Sequence, residues 1–468
     1  MAEIGITGIG VHIPRYRLAG ELFAQVWGGA GSGERAVANY DEDSLTMAVE
    51  AGLAALEGRD ARGFDAVFFA STTPPYAEKS CAVLLATVAD CGREVMAVDL
   101  GGSLRAGTTA LRLALDAVRA GSSREALVAA ADLRAVAPGS ELEPTLGEGA
   151  AAVLLGSGEV LATYEGGYGF AQEFSDVWRK ADERFLQAGD PTFVRAWGYE
   201  RLIPEAVAGL LGRTGLRREE IAKVVPYAPD ARLASALLLA LGFPDAAALK
   251  TPLLECVGNV GCASPLLGLA AALEEAAPGD RILVVGYGSG ADALLFRATG
   301  RVRGRDTRRG VAAQLARGRP LRHYGKYLRF RRLVETEVIK AFTGLPVMAR
   351  EEAQDLRLHG QRCRACGAVQ YPRRHLCWSC SGKEFEEHRL SRRGKVCTFT
   401  KDHLVPTPDP PAIMVAADLE GGGRFYTQLT DCDPAEVGFE MPVELTFRRF
   451  HEGGELANYF WKFRPALG

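Results

Sequence analysis

Four cysteines form the most specific chemical motif in the sequence. Cys363-x2-Cys366 and Cys377-x2-Cys380 are separated by ten residues. Two such pairs bring four thiolates to the corners of a tetrahedron, which suits Zn²⁺. Gly367, directly after the second ligand, permits the tight turn that this geometry needs. We expect a structural zinc, because no position is left open for water; disulfides or unligated core cysteines are the alternatives.

The stretch DLGGSLRAGTTALR, residues 99–112, resembles a position where enzymes present a nucleophile. An apolar strand ends in a glycine pair and a helix begins at once. A helix N-terminus lowers the pKa of a thiol and stabilises developing negative charge. The side chain at this elbow is Leu104, which has no such chemistry.

The elements that must position these groups alternate between strand and helix over residues 1–300. Asp43 is predicted to cap a helix that ends near Leu56. GEGAAAVLLGSG (147–158) is similar to GDRILVVGYGSGADALLF (279–296), and each predicts a buried strand, a glycine-rich turn and a further strand. We therefore expect an α/β fold with a parallel sheet covered on both faces, built from a duplicated unit.

The residues after the cysteine motif have a different pattern. Five short apolar segments are separated by turns that contain Gly, Pro and Asp, which is typical of a small all-β barrel of the OB type. The predicted strands lie in GKVCTFTKDHL, AIMVAADLEG, RFYTQLTD, PVELTFRRF and ANYFWKFRP.

Bulk composition argues against several functional classes. The 468 residues are 47% hydrophobic and 24% charged, with a net charge of -3, so nucleic-acid binding is not expected. The sequence lacks an apolar run of ~18 residues and begins without a secretory signal, so neither membrane insertion nor export is expected. Cysteine spacing indicates reduced thiols and a cytoplasmic protein.

A basic segment follows the α/β region. Residues 301–332 contain twelve Lys or Arg and a single acidic residue, Asp306. The segment is interpreted either as a contact for phosphates of a CoA or carrier-protein arm, or as a solvated linker and helix face.

Longer stretches resemble a known family. GITGIGVHIPRYRL, NYDEDSLTMAVEA, FFASTTPPYAEKS and VGNVGCASPLLGLAAALEEAAPGDRILVVGYGSG closely resemble hydroxymethylglutaryl-CoA synthases of archaeal and bacterial type. This resemblance implies the thiolase fold, a duplicated five-layer αβαβα arrangement. RCRACGAVQYPRRHLCWSC resembles the zinc-ribbon and OB-fold module found beside thiolases and acyl-CoA enzymes.

The resemblance implies a domain order and a set of partners. We expect a thiolase-like domain at 1–320, a helical linker at 321–358, a zinc ribbon at 359–387 and an OB-fold domain at 388–468. It also implies a CoA thioester as substrate, a homodimer, and a thiolase as a further protein partner.

The family's catalytic side chains are replaced in this sequence. Leu104 stands where the family has its nucleophilic Cys, Thr72 where it has an acid-base Glu, and Tyr227 where it has a His. His12 is the single histidine of the first 300 residues. A Cys-His acyl-transfer site is therefore not expected.

Other parts of the family's site are retained. Asn259 matches the Asn that polarises the thioester carbonyl. Ser289, between Gly288 and Gly290, lies in the loop that forms the oxyanion hole with the backbone N–H of the elbow. The backbone N–H is present at Leu104 whatever the side chain is. The resemblance therefore implies a site that has hydrogen-bond donors for an enolate oxygen but lacks a nucleophilic side chain.

These residues predict an enzyme that makes or breaks a C–C bond. The main hypothesis is an aldolase or retro-aldolase acting on β-hydroxyacyl-CoA thioesters. Tyr227 would move the β-hydroxyl proton if nearby groups lower its pKa, or else it only fills space at the strand end.

Two alternatives remain open. One is a condensing acyltransferase of the synthase type that uses Cys262 as a replacement nucleophile, although Cys262 also fits a buried core position. The other is a non-catalytic protein that binds acyl-CoA or scaffolds a thiolase. Asp230 either orients Tyr227 or caps the following helix.

Overall fold

The chain folds into two units that differ in secondary structure. One unit comprises Met1–Ala38 and Asp43–Arg331, and the other comprises Asn39–Glu42 and Arg332–Gly468. The computed structural model describes residues 3–28, 31–244, 247–304, 306–335, 341, 343–453 and 456–467.

The first unit contains alternating strands and helices. Its strands are β1 (Ile4–His12), β2 (Tyr16–Ala19), β3 (Glu34–Val37), β4 (Ala66–Ala70), β5 (Met96–Leu100), β6 (Ala126–Asp132), β7 (Gly149–Ser157), β8 (Ala162–Ala171), β9 (Val177–Trp178), β10 (Gln187–Ala188), β11 (Lys223–Pro226), β12 (Arg281–Tyr287), β13 (Gly290–Ala298) and β14 (Arg319–Pro320). Its helices are α1 (Gly20–Trp27), α2 (Ser44–Ala55), α3 (Cys81–Ala89), α4 (Ala106–Ala120), α5 (Pro191–Val194), α6 (Glu200–Thr214), α7 (Ala231–Ala240), α8 (Leu253–Cys256), α9 (Ser264–Glu275), α10 (Val311–Ala316) and α11 (Tyr324–Phe330).

Local sequence explains where several of these elements begin. Asp43 caps α2 as predicted, because its carboxylate accepts a hydrogen bond from the N–H of Thr46. The Thr46 hydroxyl in turn accepts a hydrogen bond from the N–H of Asp43. Asp230 caps α7, because its carboxylate accepts a hydrogen bond from the N–H of Leu233 at 2.8 Å. Asp230 therefore acts as a cap, the second of its two predicted roles.

The central sheet has nine strands in two similar halves. Their order is β5-β4-β6-β7-β1 in one half and β11-β12-β13-β8 in the other, and β1 meets β8 where the halves join. In each half a parallel pair (β4 with β6, β11 with β12) is followed by two antiparallel pairings. This matching order supports the predicted duplication.

Helices complete a five-layer arrangement in the first unit. Helix α2 packs on one face of the β6-β7-β1 region and α4 on the other, while α6 and α9 cover the two faces of the second half. Helices α4 and α9 contact each other in the middle layer. Nine residues of α9 are buried, as expected for a helix enclosed between two sheets.

The prediction of a parallel sheet is wrong in part, because the sheet is mixed. Strands β12 and β13 are antiparallel and are separated only by Gly288 and Ser289. Such a short connection cannot hold the crossover that a parallel pair needs, so the second strand must return beside the first.

The second unit combines a small three-stranded sheet with a closed barrel. The sheet has the order β16-β15-β17 and the barrel has the order β18-β19-β20-β22-β21. The five predicted barrel strands are confirmed. The elements are α12 (Leu345–Arg350), α13 (Glu352–Asp355), β15 (His359–Cys363), β16 (Val369–Gln370), β17 (Phe385–Arg389), β18 (Arg393–Asp402), β19 (Ala412–Leu419), β20 (Arg424–Leu429), β21 (Pro442–Gly453) and β22 (Leu456–Pro465).

The second unit also buries a cluster of charges, which we call the ion cluster. Arg448 is fully buried and contacts Asp41 at 3.1 Å, Glu42 at 2.9 Å and Asp431 at 2.5 Å. Lys462 contacts Asp41 at 2.9 Å. Each charge in this cluster is therefore compensated by an opposite charge in direct contact.

Helix α11 begins in the segment that was predicted to be a linker, and it belongs to the first unit. The predicted boundaries at residues 320, 358 and 387 stay predictions; residues 336–340 and 342 of the linker lie outside the described residues. Among the helices that the structure describes, none has the length and apolar character needed to cross a membrane.

Candidate active site

Two loops at the ends of core elements carry the central pair of candidate residues. Tyr227 follows β11 directly, and its N–H bonds to the carbonyl of Val285 at 3.0 Å. Asn259 lies just before α9, between Gly258 and Gly261, which both adopt positive φ. Only glycine adopts such φ values readily, so the GNVG sequence suits this turn.

The structure brings Tyr227 and Asn259 together. The Asn259 Nδ2 donates to the Tyr227 hydroxyl at 2.9 Å. The Asn259 Oδ1 accepts from the N–H of Gly261 at 2.9 Å and from Arg134 Nη2 at 2.8 Å, which fixes the amide orientation. Because the Tyr227 oxygen accepts this bond, its own proton remains available for donation to another oxygen.

Nearby groups do not lower the pKa of Tyr227, which was the condition set for its role in moving a proton. Burial raises the pKa of Tyr227 to about 12, since Tyr227 is only 2% exposed and its charged form is poorly solvated. Arg134 and Asn259 favour the phenolate but do not outweigh burial, and Asp176 opposes it. Tyr227 is therefore a neutral phenol at neutral pH, suited to giving a proton rather than taking one.

Two further tyrosines stack with Tyr227. The ring centroids of Tyr227 and Tyr287 lie 5.7 Å apart, and those of Tyr199 and Tyr287 lie 4.6 Å apart. Burial raises the pKa of both added phenols. The Tyr287 hydroxyl is buried and has no hydrogen-bond partner among the described residues, so hydrogen-bonding capacity is left unused at this point.

The elbow before α4 meets the loop between β12 and β13. A Cβ placed on Gly288 would lie 2.9 Å from the backbone nitrogen of Leu104, so only glycine permits this approach. Ser103 Oγ donates to the carbonyl of Gly288 at 2.9 Å, and Ser289 adopts a positive φ of 48°. The Leu104 side chain packs in the same apolar cluster as the three tyrosines.

Cys262 lies where a nucleophile would be ineffective. The residue is fully buried, and burial followed by the charge of Asp132 raises its pKa well above the usual value. Its Sγ lies 3.5 Å from the carbonyl oxygen of Ala70. A buried thiol that stays protonated is a poor nucleophile.

Thr72, which is predicted to stand at the family's acid-base position, belongs to a network around Asp132. The Asp132 Oδ1 accepts from the N–H of Thr72 at 2.6 Å and from the hydroxyls of Ser71 and Thr73 at 3.1 and 3.2 Å. Its Oδ2 accepts from the N–H of Cys262 at 2.8 Å. Asp132 is thus saturated with donors, which indicates a structural carboxylate.

Sequence reasoning missed Asp176 and Tyr199. The Tyr199 hydroxyl donates to Asp176 Oδ2 in a short hydrogen bond, and Asp176 is 5% exposed. Burial raises the pKa of Asp176 despite this bond. Both residues lie between β8 and α6, in a region without a recognisable motif, so no local pattern indicated them.

A cavity of about 380 Å³ lies at Tyr199; Tyr227 and Tyr287 are not among the described residues that line it. Asp176 and Tyr199 line it, together with Asp230. Arg195 and Arg232 also contribute to its wall and supply two cations. Its apolar surface with a few polar groups is typical of a small-molecule site.

The basic segment after β13 is partly engaged in ion pairs of its own unit. Arg331 contacts Glu148 at 2.7 Å with both side chains buried, and Arg309 contacts Glu57 at 3.3 Å. These contacts favour the structural interpretation for these two arginines. Glu148 also accepts from the N–H of Ala38 and directly precedes β7.

The four motif cysteines come together as the spacing predicts. Their Sγ atoms all lie within 4.8 Å of one another. Gly367 adopts a φ of 76°, as the tight turn requires. Four thiolates in this arrangement fit a tetrahedral Zn²⁺, whose role here would be to hold the ribbon strands together.

Three family models match parts of the chain. The C-terminal part of 3-oxoacyl-[acyl-carrier-protein] synthase III matches residues 211–297. The rubredoxin-like zinc ribbon domain of ChsH2 matches residues 350–386, and the C-terminal OB-fold domain of ChsH2 matches residues 387–448. The predicted zinc ribbon and OB fold are thereby confirmed.

Curated relatives identify the family of the larger part. The hydroxymethylglutaryl-CoA synthase of Methanopyrus kandleri is 33% identical over 342 residues, which is 70% of this chain and 97% of the relative. The chain belongs to the hydroxymethylglutaryl-CoA synthase family. The synthase of Pyrococcus horikoshii is 32% identical over 63% of this chain and 85% of its own length.

Solved structures confirm the thiolase-like fold. An HMG-CoA synthase complexed with CoA has a TM-score of 0.64 at 20% identity, over 74% of this chain and 96% of its own. The 3-oxoacyl-[acyl-carrier-protein] synthase III from Aquifex aeolicus has a TM-score of 0.58 at 22% identity, over 63% of this chain and 99% of its own. The predicted fold and family resemblance are both confirmed.

Proposed function

We propose that this protein forms or cleaves a C–C bond in an acyl-CoA thioester by aldol chemistry, without an acyl-enzyme. One observation carries the proposal. Leu104 occupies the elbow of a synthase-family site, while the neutral phenol of Tyr227 and the amide of Asn259 are hydrogen-bonded at 2.9 Å. The site thus has groups for an enolate reaction and lacks a nucleophile at the elbow.

The comparisons favour the condensing class over a dedicated aldolase. The curated relatives are named hydroxymethylglutaryl-CoA synthase, which is closer to the alternative prediction than to the main one. Aldol addition is a bond-forming condensation, and retro-aldol cleavage is its reverse. We therefore propose the bond-forming direction, in which a thioester enolate adds to the carbonyl of a second substrate.

In this reaction the candidate residues take complementary roles. The backbone N–H of Leu104 and the loop at Ser289 supply donors to the enolate oxygen. The enolate carbon attacks a carbonyl carbon, and the carbonyl electron pair moves to its oxygen as the C–C bond forms. Tyr227 gives that oxygen its proton, in line with the direction in which burial moves its pKa.

The 380 Å³ cavity is the proposed entrance for the CoA thioester. Arg195 and Arg232 in its wall provide cations for phosphate groups. A structural relative was solved with CoA bound, which supports a CoA thioester as the substrate.

A synthase-type acyltransferase with Cys262 as nucleophile is the second candidate. The family relationship favours an acyl-transfer enzyme. The complete burial of Cys262 and its raised pKa argue against this residue as the nucleophile. A protein that only binds acyl-CoA or scaffolds a thiolase is the third candidate.

A homodimer remains part of the proposal. Strand β5 is an edge strand of the nine-stranded sheet, and Met96 at its start is 46% exposed. An edge strand can pair with the same strand of a second copy. A thiolase as an additional partner is retained from the family resemblance.

The test combines intact-protein mass with turnover. The protein is incubated with a panel of acyl-CoA thioesters, alone and with small carbonyl compounds, and CoA binding is measured in parallel. We expect CoA binding, a C–C-coupled product and no mass increase. Tyr227→Phe should bind CoA normally and lose ~10²–10⁴-fold in turnover.

Each alternative gives a different result. A stable acyl adduct that maps to Cys262 would support the acyltransferase. CoA binding without turnover on any pair, together with a captured thiolase, would support the scaffold. Full turnover by Tyr227→Phe would remove Tyr227 from the mechanism.

A further inference from the structure

The proposed aldol reaction needs a base that removes a proton from the thioester α-carbon. Tyr227 cannot serve at neutral pH, because burial keeps it protonated. Cys262 is likewise held protonated by burial. The base must therefore be another group near the tyrosine cluster.

The buried carboxylates near the tyrosines differ in their contacts and in whether they line the cavity. Asp292 contacts Arg112 at 2.7 Å and accepts from Thr108 at 3.0 Å. Asp132 accepts four hydrogen bonds from backbone and hydroxyl donors. Their oxygens are engaged in holding α4 and the loop before α9, and neither residue lines the 380 Å³ cavity.

Asp176 has a different environment. Its carboxylate accepts from the hydroxyl of Tyr199 and from the backbone N–H groups of Val177 and of Asp176 itself, and the charge of Arg134 also acts on it. Asp176 and Tyr199 together line the 380 Å³ cavity. The residue is buried, and its charge raises the pKa of both Tyr227 and Tyr287, which places it electrostatically within the tyrosine cluster. A carboxylate in a cavity wall, with no cation in direct contact among the described residues, is suited to general-base chemistry.

We propose that Asp176 is the general base that takes the α-proton of the bound acyl-CoA. This inference rests on the proposed function. The α-proton moves to a carboxylate oxygen of Asp176, and the C–H electron pair becomes the enolate. After C–C bond formation, Tyr227 has given its proton to the new alkoxide. Transfer of the proton held by Asp176 to the Tyr227 phenolate returns both groups to their starting states.

The Tyr199 hydroxyl has a positioning role in this scheme. Its hydrogen bond to Asp176 Oδ2 orients the carboxylate, and in this scheme the other oxygen takes the α-proton. Burial raises the pKa of Tyr199 well above its usual value, so the hydroxyl stays a donor throughout.

The experiment separates proton removal from bond formation. Full-length protein is incubated with acyl-CoA in deuterated water without a carbonyl substrate, and α-deuterium uptake is followed by NMR. Wild type should exchange its α-protons. Asp176→Asn, which keeps the side-chain shape, should lose at least ~100-fold in exchange rate while it still binds CoA.

Three variants make the result specific. Glu173→Gln removes the same charge from an exposed position three residues away and should exchange as wild type does. Tyr227→Phe should retain exchange within ~10-fold while losing bond formation, because its phenol acts after the enolate forms. Asp176→Ala should regain exchange when formate is added, since formate can supply the missing carboxylate in the cavity.

The outcomes distinguish this inference from the proposed function. Undiminished exchange in Asp176→Asn would overturn the role of Asp176 and leave enolate chemistry intact. Absence of exchange in wild type, under conditions where CoA binds, would overturn both. Loss of exchange in Asp176→Asn with rescue of Asp176→Ala by formate supports Asp176 as the base, because a merely structural residue would not be rescued.

Discussion

The two units of the chain each bury a polar cluster, and the two clusters are satisfied to different degrees. In the ion cluster, Arg448 contacts three carboxylates and Lys462 contacts Asp41, so each charge has an opposite partner. Around Tyr227, the Tyr287 hydroxyl and the Nε of Arg134 have no hydrogen-bond partner among the described residues.

Burial is therefore followed by a charged side chain in the ion cluster and by a neutral one in the tyrosine cluster. Burial alone would lower the pKa of Lys462, but Asp41 and Tyr40 outweigh it and raise that pKa, which keeps the charge. No comparable counter-charge offsets burial at Tyr227, whose pKa is raised so that it stays neutral. The comparison suggests that the ion cluster stabilises the barrel, whereas the tyrosine cluster retains capacity to interact with a substrate.

Metal removal should have the largest effect, and it should be confined to the second unit. Complete removal of zinc by a strong chelator should unfold the ribbon, since four thiolates without metal cannot hold its short strands together. Hydrogen exchange of residues 359–389 and zinc content would be measured together. Cys363→Ser should reproduce the loss, whereas Cys397→Ser, outside the cluster, should not. A ribbon that stays protected after complete metal loss would contradict this prediction.

Arg448→Met should have the next largest effect. It leaves Asp41, Glu42 and Asp431 buried without their shared cation, at a cost of about 3–5 kcal/mol in the free energy of unfolding. Denaturant unfolding of the second unit would measure the loss. The control is Arg424→Met, which breaks an exposed pair with Asp418 and should cost less than ~1 kcal/mol. Equal losses in the two variants would show that the ion cluster is no more important than a surface pair.

Tyr227→Phe should change stability much less than activity. The substitution removes one hydrogen bond and leaves the Asn259 amide with an unused donor, which should cost ~1–2 kcal/mol. Thermal unfolding would be compared with the turnover measured for the same variant. A loss of stability as large as that of Arg448→Met would indicate a structural role instead.

Tyr287→Phe should have the smallest effect on stability. Its hydroxyl is buried without a partner among the described residues, so its removal should change the free energy of unfolding by less than ~0.5 kcal/mol or stabilise the unit. Tyr324→Phe is the matched control, because the Tyr324 hydroxyl bonds to Trp27 and Glu143 and should cost ~1–3 kcal/mol when removed. A large loss in Tyr287→Phe would mean that its hydroxyl has a partner.

Structural features that depend on residues close together in the sequence were predicted correctly. The spacing of Cys363 and Cys366 to the second pair specifies the metal cluster, and Asp43 specifies the start of α2, because these interactions join residues close in the chain. The replacement of the family's Cys by Leu104 stays a prediction from the sequence around the elbow.

Features that depend on distant contacts were decided by the tertiary structure alone. Asp41 and Arg448 lie 407 positions apart, and the sequence does not show that they pair. The direction of the Tyr227 pKa is also decided by packing, which excludes water from the phenol and raises that pKa. Asp176 has no motif of its own, and only the fold brings its carboxylate to Tyr199 and the cavity. The sequence determined which chemical groups are present. Burial and long-range pairing decided which of these groups are protonated and which residues they contact.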